Sequence, residues 1–131
     1  MSRVPRSASA EALVRVRAIC LALPGVVERM SHEAPVFFVG EKKASFVAFA
    51  DNIHSDGRIA LWCAAPLGAQ QRVIDADPEN YFVPPYVGGR GWIGMRLDRG
   101  LAWKSIKGGI KSAWEMQVKL KPKPKPKKAK R

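Results

Sequence analysis

Between Pro35 and Ala64 the chain carries three short apolar runs, Pro35 to Gly40, Ala44 to Ala50 and Gly57 to Ala64. Only two turns join them, Gly40-Glu41-Lys42-Lys43 and Asp51 to Asp56. Connections this short cannot carry the crossover that parallel strands require, so the runs are constrained to an antiparallel meander. Before the meander, Ala12, Leu13, Val16, Ile19, Cys20 and Leu23 recur at steps of three and four. That spacing predicts a helix over 9–23, with Ser7 or Ser9 as N-cap and Pro24-Gly25 as the stop.

After the meander, Pro66 to Ala76 reads as a short helix opened by Pro and closed before Asp77-Pro78. The stretch YFVPPYVGGRGWIGMRLD then gives two extended pieces around the turn Gly88 to Gly91. Pro84-Pro85 cannot donate ladder hydrogen bonds, which confines the first piece to an edge strand or a bulge. A last helix is predicted over 101–118, with Ile106, Ile110, Ala113 and Trp114 inward. Gly108-Gly109 in its middle costs about 2 kcal/mol against Ala-Ala, so a kink or break is expected there. The order, helix, three strands, helix, two strands, helix, predicts a two-layer α+β domain, an antiparallel sheet of about five strands with helices on one face.

An apolar content of 47% over 131 residues supports one core. The expected organisation is a flexible lead over 1–8, the α+β domain over 9–118 and a disordered basic tail over 119–131. No apolar run approaches the roughly 20 residues of a membrane span, and Arg15 and Arg17 interrupt the early candidate for a signal segment. The expected compartment is the cytoplasm, with association to a nucleoid as an alternative. Cys20 and Cys63 lie in apolar runs without CxxC spacing and read as small core residues.

The tail KLKPKPKPKKAKR holds Lys119, Lys121, Lys123, Lys125, Lys127, Lys128, Lys130 and Arg131, and no acid. It supplies eight of the formal net charge of +12, leaving four to the rest of the chain. Such self-repulsion with so little apolar surface cannot repay the entropy of ordering. Alternating Lys-Pro favours an extended polyproline-like path, about 40 Å long at ~3.1 Å per residue. Six such charges on DNA phosphates would make affinity fall roughly 10³-fold between 50 and 200 mM salt. The implied partner is DNA, with RNA as the alternative polyanion. A solubilising tail is the competing reading, and a membrane surface has no adjacent amphipathic helix or lipidation motif to support it.

Alternation places Ile59, Leu61 and Cys63 on one side of the third run and Arg58, Ala60 and Trp62 on the other. In the last extended piece, Ile93, Met95 and Leu97 oppose Trp92, Gly94 and Arg96. If helices cover the Ile-Leu side, the open side displays Arg58, Trp62, Trp92 and Arg96, with Arg90, Lys42 and Lys43 at its rims. Aromatic planes among cations suit stacking on bases and pairing with phosphates. The competing reading has both tryptophans completing the core and the arginines snorkelling over it. Lys104, Lys107 and Lys111 form a basic stripe on the last helix that runs into the tail.

Other motifs carry less. GRGWIG over 89–94 fits GxGxxG, but an extended segment follows where a dinucleotide fold needs a helix. Asp51, His54 and Asp56 share a turn whose acids suit local backbone bonding better than a metal. There is no GxSxG, no SxxK and no signature around either cysteine, and His32 has no evident catalytic partner. The expectation is a protein that is not an enzyme and holds no cofactor and no metal.

The stretches LPGVVERMSHEAPVFFVGEKKASFVAF, DGRIALWCAAPLGAQ and DPENYFVPPYVGGRGWIGMRLD together resemble the MmcQ/YjbR family over nearly all of residues 10–118. The resemblance rests on LPG, SHxxP, ALWCxAPxGAQ, FxPPYVGxRGW and GxRLD. It implies a compact α+β domain of the frataxin (CyaY-like) type and a DNA-binding protein with a double-wing arrangement. The positions at stake are His32 and Pro35, Arg58 and Trp62, Pro84, Pro85 and Tyr86, Arg90 and Trp92, and Arg96. Wings at the strand-connecting loops would bring Lys42, Lys43 and Arg90 near a nucleic-acid backbone. The chain departs from its relatives where Trp103-Lys104-Ser105 replaces an acidic opening of the last helix, and in its Lys-Pro tail. The frataxin likeness does not bring iron binding, which needs an acidic ridge.

The function expected is therefore a largely sequence-nonspecific DNA-binding protein whose tail adds backbone affinity. The alternative is a small-ligand or protein-interaction module with a pocket of His32, Trp62, Tyr86 and Trp92. The sequence sets no oligomeric state, and a monomer is assumed.

Overall fold

The computed structural model describes residues 6–32, 34–40, 44–52 and 57–120. Along the chain it forms α1 (Arg6–Leu21), β1 (Val26–Ser31), β2 (Ala34–Val39), β3 (Ala44–Asp51), β4 (Ile59–Cys63), α2 (Ala69–Ala76), β5 (Tyr81–Phe82), β6 (Ile93–Arg96) and α3 (Trp103–Leu120). The strands make one six-stranded sheet in the order β1-β2-β3-β4-β6-β5, with every neighbour antiparallel. The fold is α+β, as the short turns of the meander require.

One strand more than expected is present, and the reason is electrostatic. In β1, VVERMS, the inward position opposite Phe37 belongs to Glu28, which spoils any apolar alternation. Arg17 of α1 supplies what the pattern lacks: its Nε donates to both Glu28 carboxylate oxygens at 2.9 and 3.0 Å, and its Nη2 donates to Oε2 at 2.9 Å. A charge on the covered face is tolerated because the fork of a guanidinium meets it.

Register decides which side of each strand meets the helices. Val47 pairs with Cys63, Phe49 with Leu61, Leu61 with Met95 and Met95 with Tyr81, so these side chains share one face. Val16 and Cys20 from α1, and Ile106, Ile110 and Ala113 from α3, join Phe37, Val47, Leu61 and Met95 in a single buried cluster. The α3 helix lies over β2, β3 and β4 beside α1, while α2 sits against β5. Trp114 Nε1 donates to the Pro24 carbonyl at 3.0 Å and Gln117 Nε2 to the Ser45 carbonyl at 2.7 Å, tying α3 to the turn after α1 and to the start of β3.

Helix limits differ from the expected ones. The α1 helix takes in residues 6–8 of the anticipated lead, and Ser9, inside the helix, donates its hydroxyl to Asp51 Oδ2 at 2.6 Å instead of capping. The α3 helix includes Lys119 and Leu120, and it runs unbroken through Gly108-Gly109 for 18 residues. An ideal Cβ at Gly109 would stand 3.0 Å from both Cε and Sδ of buried Met95, whereas one at Gly108 would meet nothing within 4 Å. Packing onto the sheet at Gly109 therefore outweighs its poor helix propensity.

On the sheet face turned away from α1 and α3, one row crosses all six strands: Arg29, Val36, Ala48, Trp62, Gly94 and Phe82. The Phe82 ring covers Gly94 so closely that an added Cβ would lie 2.5 Å from it, and the Arg58 guanidinium rests 4.0 Å over that ring. In the next row Arg96 donates from Nε to Asp98 Oδ1 at 3.0 Å and from Nη2 to Oδ2 at 3.1 Å, while the Ile59 amide donates to Asp98 Oδ2 at 3.3 Å. Burial pushes the Asp98 carboxyl up, but the Arg96 and Ile59 hydrogen bonds outweigh it and hold it below the usual range.

Gly108→Ala should stabilise the fold by up to about 1 kcal/mol in urea unfolding, because it adds helix propensity in open space. Gly109→Leu should destabilise it by driving α3 off Met95. Arg96→Gln should lower stability at neutral pH. Because the folded Asp98 value is depressed, the pair's contribution is present above the ordinary aspartate pKa of about 3.9 and is lost as pH falls through the folded value. The gap between wild type and Arg96→Gln, read from urea midpoints, should therefore narrow below about pH 4; a gap that widens on acidification contradicts the clamp.

Candidate functional site

The residues singled out by sequence separate onto two sides of the molecule. On the helical side, Lys104, Lys107 and Lys111 are exposed along α3, as their spacing requires. They face α1 across two adjoining depressions, each about 330 Å³. One is lined by Arg15, Ala18, Ile19, Trp103, Lys104 and Lys107. The other continues from Ala18 and Ile19 to Ala22, Leu23, Lys107 and Lys111. The result is a groove with an alanine-rich floor and a cationic rim. At one end the Arg15 guanidinium lies 4.5 Å over the Trp103 ring, which orients it.

Sequence reasoning missed Arg15 and Trp103. The helical repeat places Arg15, Ala18 and Ala22 on the outward side of α1, but no local pattern joins that side to a helix that starts at Trp103. Lys119 sits in the last turn of α3, where a cation also complements the carbonyl end of the helix. The α3 helix has one acid, Glu115, which is half-buried, and Glu11 lies one turn before Arg15 on α1. Other acids, Asp75, Asp77 and Glu79, gather around the end of α2 and the approach to β5, away from the lysine rim.

On the opposite side, Arg58, Trp62 and Arg96 share the open face, as alternation predicted. Their chemistry is not equal. Arg96 is committed to Asp98, so it is a clamp on the β4–β6 end and its charge is already matched. Arg58 rests on Phe82. Arg90 is exposed in the 3-10 turn Gly88–Arg90, which Gln70 of α2 fastens by donating to the carbonyls of Gly88 at 3.0 Å and Trp92 at 2.7 Å.

Trp92 corrects the expectation. It is 4% exposed and belongs to the core cluster, so it cannot stack on a base. The β6 strand begins at Ile93, and Gly91 just before it has φ of 88°, so the alternation that would have turned Trp92 outward does not extend that far. The anticipated pocket of His32, Trp62, Tyr86 and Trp92 is not assembled either. Trp62 and Tyr86 do meet, with ring centroids 6.5 Å apart and planes tilted by 53°. His32, with φ of 53°, is in the turn between β1 and β2, at the other end of the strand order from β5.

Lys42, Lys43, His54, Asp56, Lys121, Lys123, Lys125, Lys127, Lys128, Lys130 and Arg131 lie outside the described residues. Among the described residues no group of three His, Cys, Asp or Glu side chains is placed to hold a metal ion. Among them, too, no helix is long and apolar enough to cross a membrane. Both thiols are free and buried; burial pushes Cys20 up to about 12 and Cys63 higher still, so neither is a thiolate nucleophile near neutral pH.

Comparison with known proteins agrees with this architecture. Among solved structures, the crystal structure of Deinococcus radiodurans protein DR2400, with domain DUF419, is similar at a TM-score of 0.73 and 17% identity. The match covers 85% of this chain and 81% of that one, and at such identity it supports the shared fold alone. No curated protein matches the sequence. A family profile described as YjbR matches residues 21–116, a span that takes in all six strands and most of α3. The chain belongs to the YjbR family.

Proposed function

We propose that this protein is a non-enzymatic DNA-associating protein, largely indifferent to sequence, that binds the phosphate backbone through its helical side and its C-terminal lysines. The observation that carries the reading is the convergence of Arg15, Lys104, Lys107 and Lys111 on one groove. The helix bearing the three lysines leads directly into the segment with the chain's densest positive charge. Fixed cations on a rigid helix set where a backbone runs, and the terminal segment adds charge that needs no defined geometry. Neither reads base edges, because cations paired with phosphates position a protein on the polymer and carry no sequence information. Both thiols are buried, which leaves neither presented as a surface nucleophile, and a cytoplasmic location, with nucleoid association as the alternative, belongs to the same reading.

Binding of a duplex oligonucleotide, followed by fluorescence anisotropy over a salt series, tests the reading. The full chain should bind at 50 mM salt and weaken steeply towards 200 mM. Lys104→Gln/Lys107→Gln/Lys111→Gln should reduce the slope of log K against log salt by about 2 to 3, since each phosphate left without its cation takes away roughly 0.9. A chain ending at Leu120 should lose a larger part of the slope and keep a remainder that the triple substitution removes. Absence of binding by the full chain at 50 mM salt sinks the proposal.

A further inference from the structure

The open face of the sheet carries features that backbone binding on the helical side does not use. Tyr86 is 76% exposed, with φ of 66°. A bulky residue in the left-handed region is unfavourable and persists only where its surroundings impose it. Pro84 is fully buried, and the Val87 amide donates to the Pro85 carbonyl at 2.6 Å, closing a tight turn across Tyr86. The 3-10 turn that follows is held by Gln70. The chain thus holds the Tyr86 ring largely exposed on a left-handed backbone.

Trp62 stands beside it on β4, half-buried, rooted between Ala48 and Gly94 in the row across the sheet. The two rings are tilted by 53°, so neither lies flat on the other and the pair does not close on itself. Next to Trp62 the floor is low at Ala48, which pairs with it across β3 and β4 and is part-exposed, while Ala50 and Ala60 further along this face are covered. Cations share the face: Arg29 at the β1 end of the row and Arg58 over Phe82. None of the described strand residues on this face is acidic. Flat aromatic surface, small neighbours and surrounding positive charge together suit one ligand, a nucleobase whose face is free and whose phosphates are close by.

We infer that Trp62 and Tyr86 form a stacking site for an unpaired base, so that the nucleic acid bound most tightly is single-stranded. This deepens the backbone-binding reading and rests on it. A duplex keeps its base faces inside its own stack and gains only the phosphate contacts. A single strand can also lay unpaired bases on Trp62 and Tyr86, beside the cations of this face. Stacking does not depend on the sugar, so DNA and RNA strands both qualify, and the two are separated by testing each.

The test uses the full chain and a labelled 12-nucleotide strand, as DNA and as RNA, beside the corresponding DNA duplex at the same low salt. Tyr86→Gly removes the ring while suiting the left-handed backbone, so it keeps the fold; its unfolding midpoint is measured alongside. It should weaken single-strand binding about tenfold and leave duplex binding within twofold. Trp62→Ala should act in the same direction, and Trp62→Phe, which restores a flat ring, should recover most of the affinity. A weakening with DNA strands alone, or RNA strands alone, assigns the site to that polymer. Single-strand affinity unmoved by Tyr86→Gly, or a weakening equal for strand and duplex, overturns the stacking site and leaves the backbone reading standing. A wild-type chain that binds no nucleic acid overturns both.

Discussion

The structure depends on the pairing of β4 with its neighbours. Leu61 lies opposite Phe49 on one side and Met95 on the other, and all three are buried against α1 and α3. Because side chains alternate strictly along a strand, that pairing also dictates that Arg58 and Trp62 look the other way. A slip of one residue would carry Arg58 and Trp62 into the helix layer and expose Leu61 and Cys63. The hydrophobic cost of such a slip, several buried side chains at about 2 kcal/mol each, is what holds two chemically different faces apart.

The helix layer has its own constraint in the contact between Gly109 and Met95. A large side chain there would press on the end of Met95 and push α3 from the sheet, and the groove shared with α1 would change shape. The lysine rim is therefore a consequence of core packing as much as of surface composition. Its charge is also kept distinct from the acids near α2 and β5, so the molecule presents an uneven field to a polyanion.

Much of this was legible in the amino-acid sequence, and the gaps have particular causes. Short turns made the meander readable, and helical spacing located α1 and the lysine stripe. The β1 strand was hidden because Glu28 interrupts its inward side, and only the approach of Arg17 from another element repairs the interruption. Gly108-Gly109 suggested a break because propensity is local, while the compensating contact comes from a distant strand. Trp92 was misplaced by extending a two-residue repeat one position beyond the strand, which starts at Ile93. The Arg96–Asp98 clamp did leave a signal, since residues two apart share a face, and opposite charges there tend to pair. The meeting of Trp62 with Tyr86 was anticipated in the pocket reading, whereas that of Arg15 with Trp103 left no signal, since it joins segments far apart in the chain.

Cys20 and Cys63 come from α1 and β4, the two elements that the core presses together, and both are sealed from solvent. With its proton held tightly and its sulfur shielded, each thiol is shut off from alkylating reagents and peroxide while the helix stays docked on the sheet. The rate at which a maleimide consumes them thus becomes a clock for undocking, recorded by two atoms the native protein already carries.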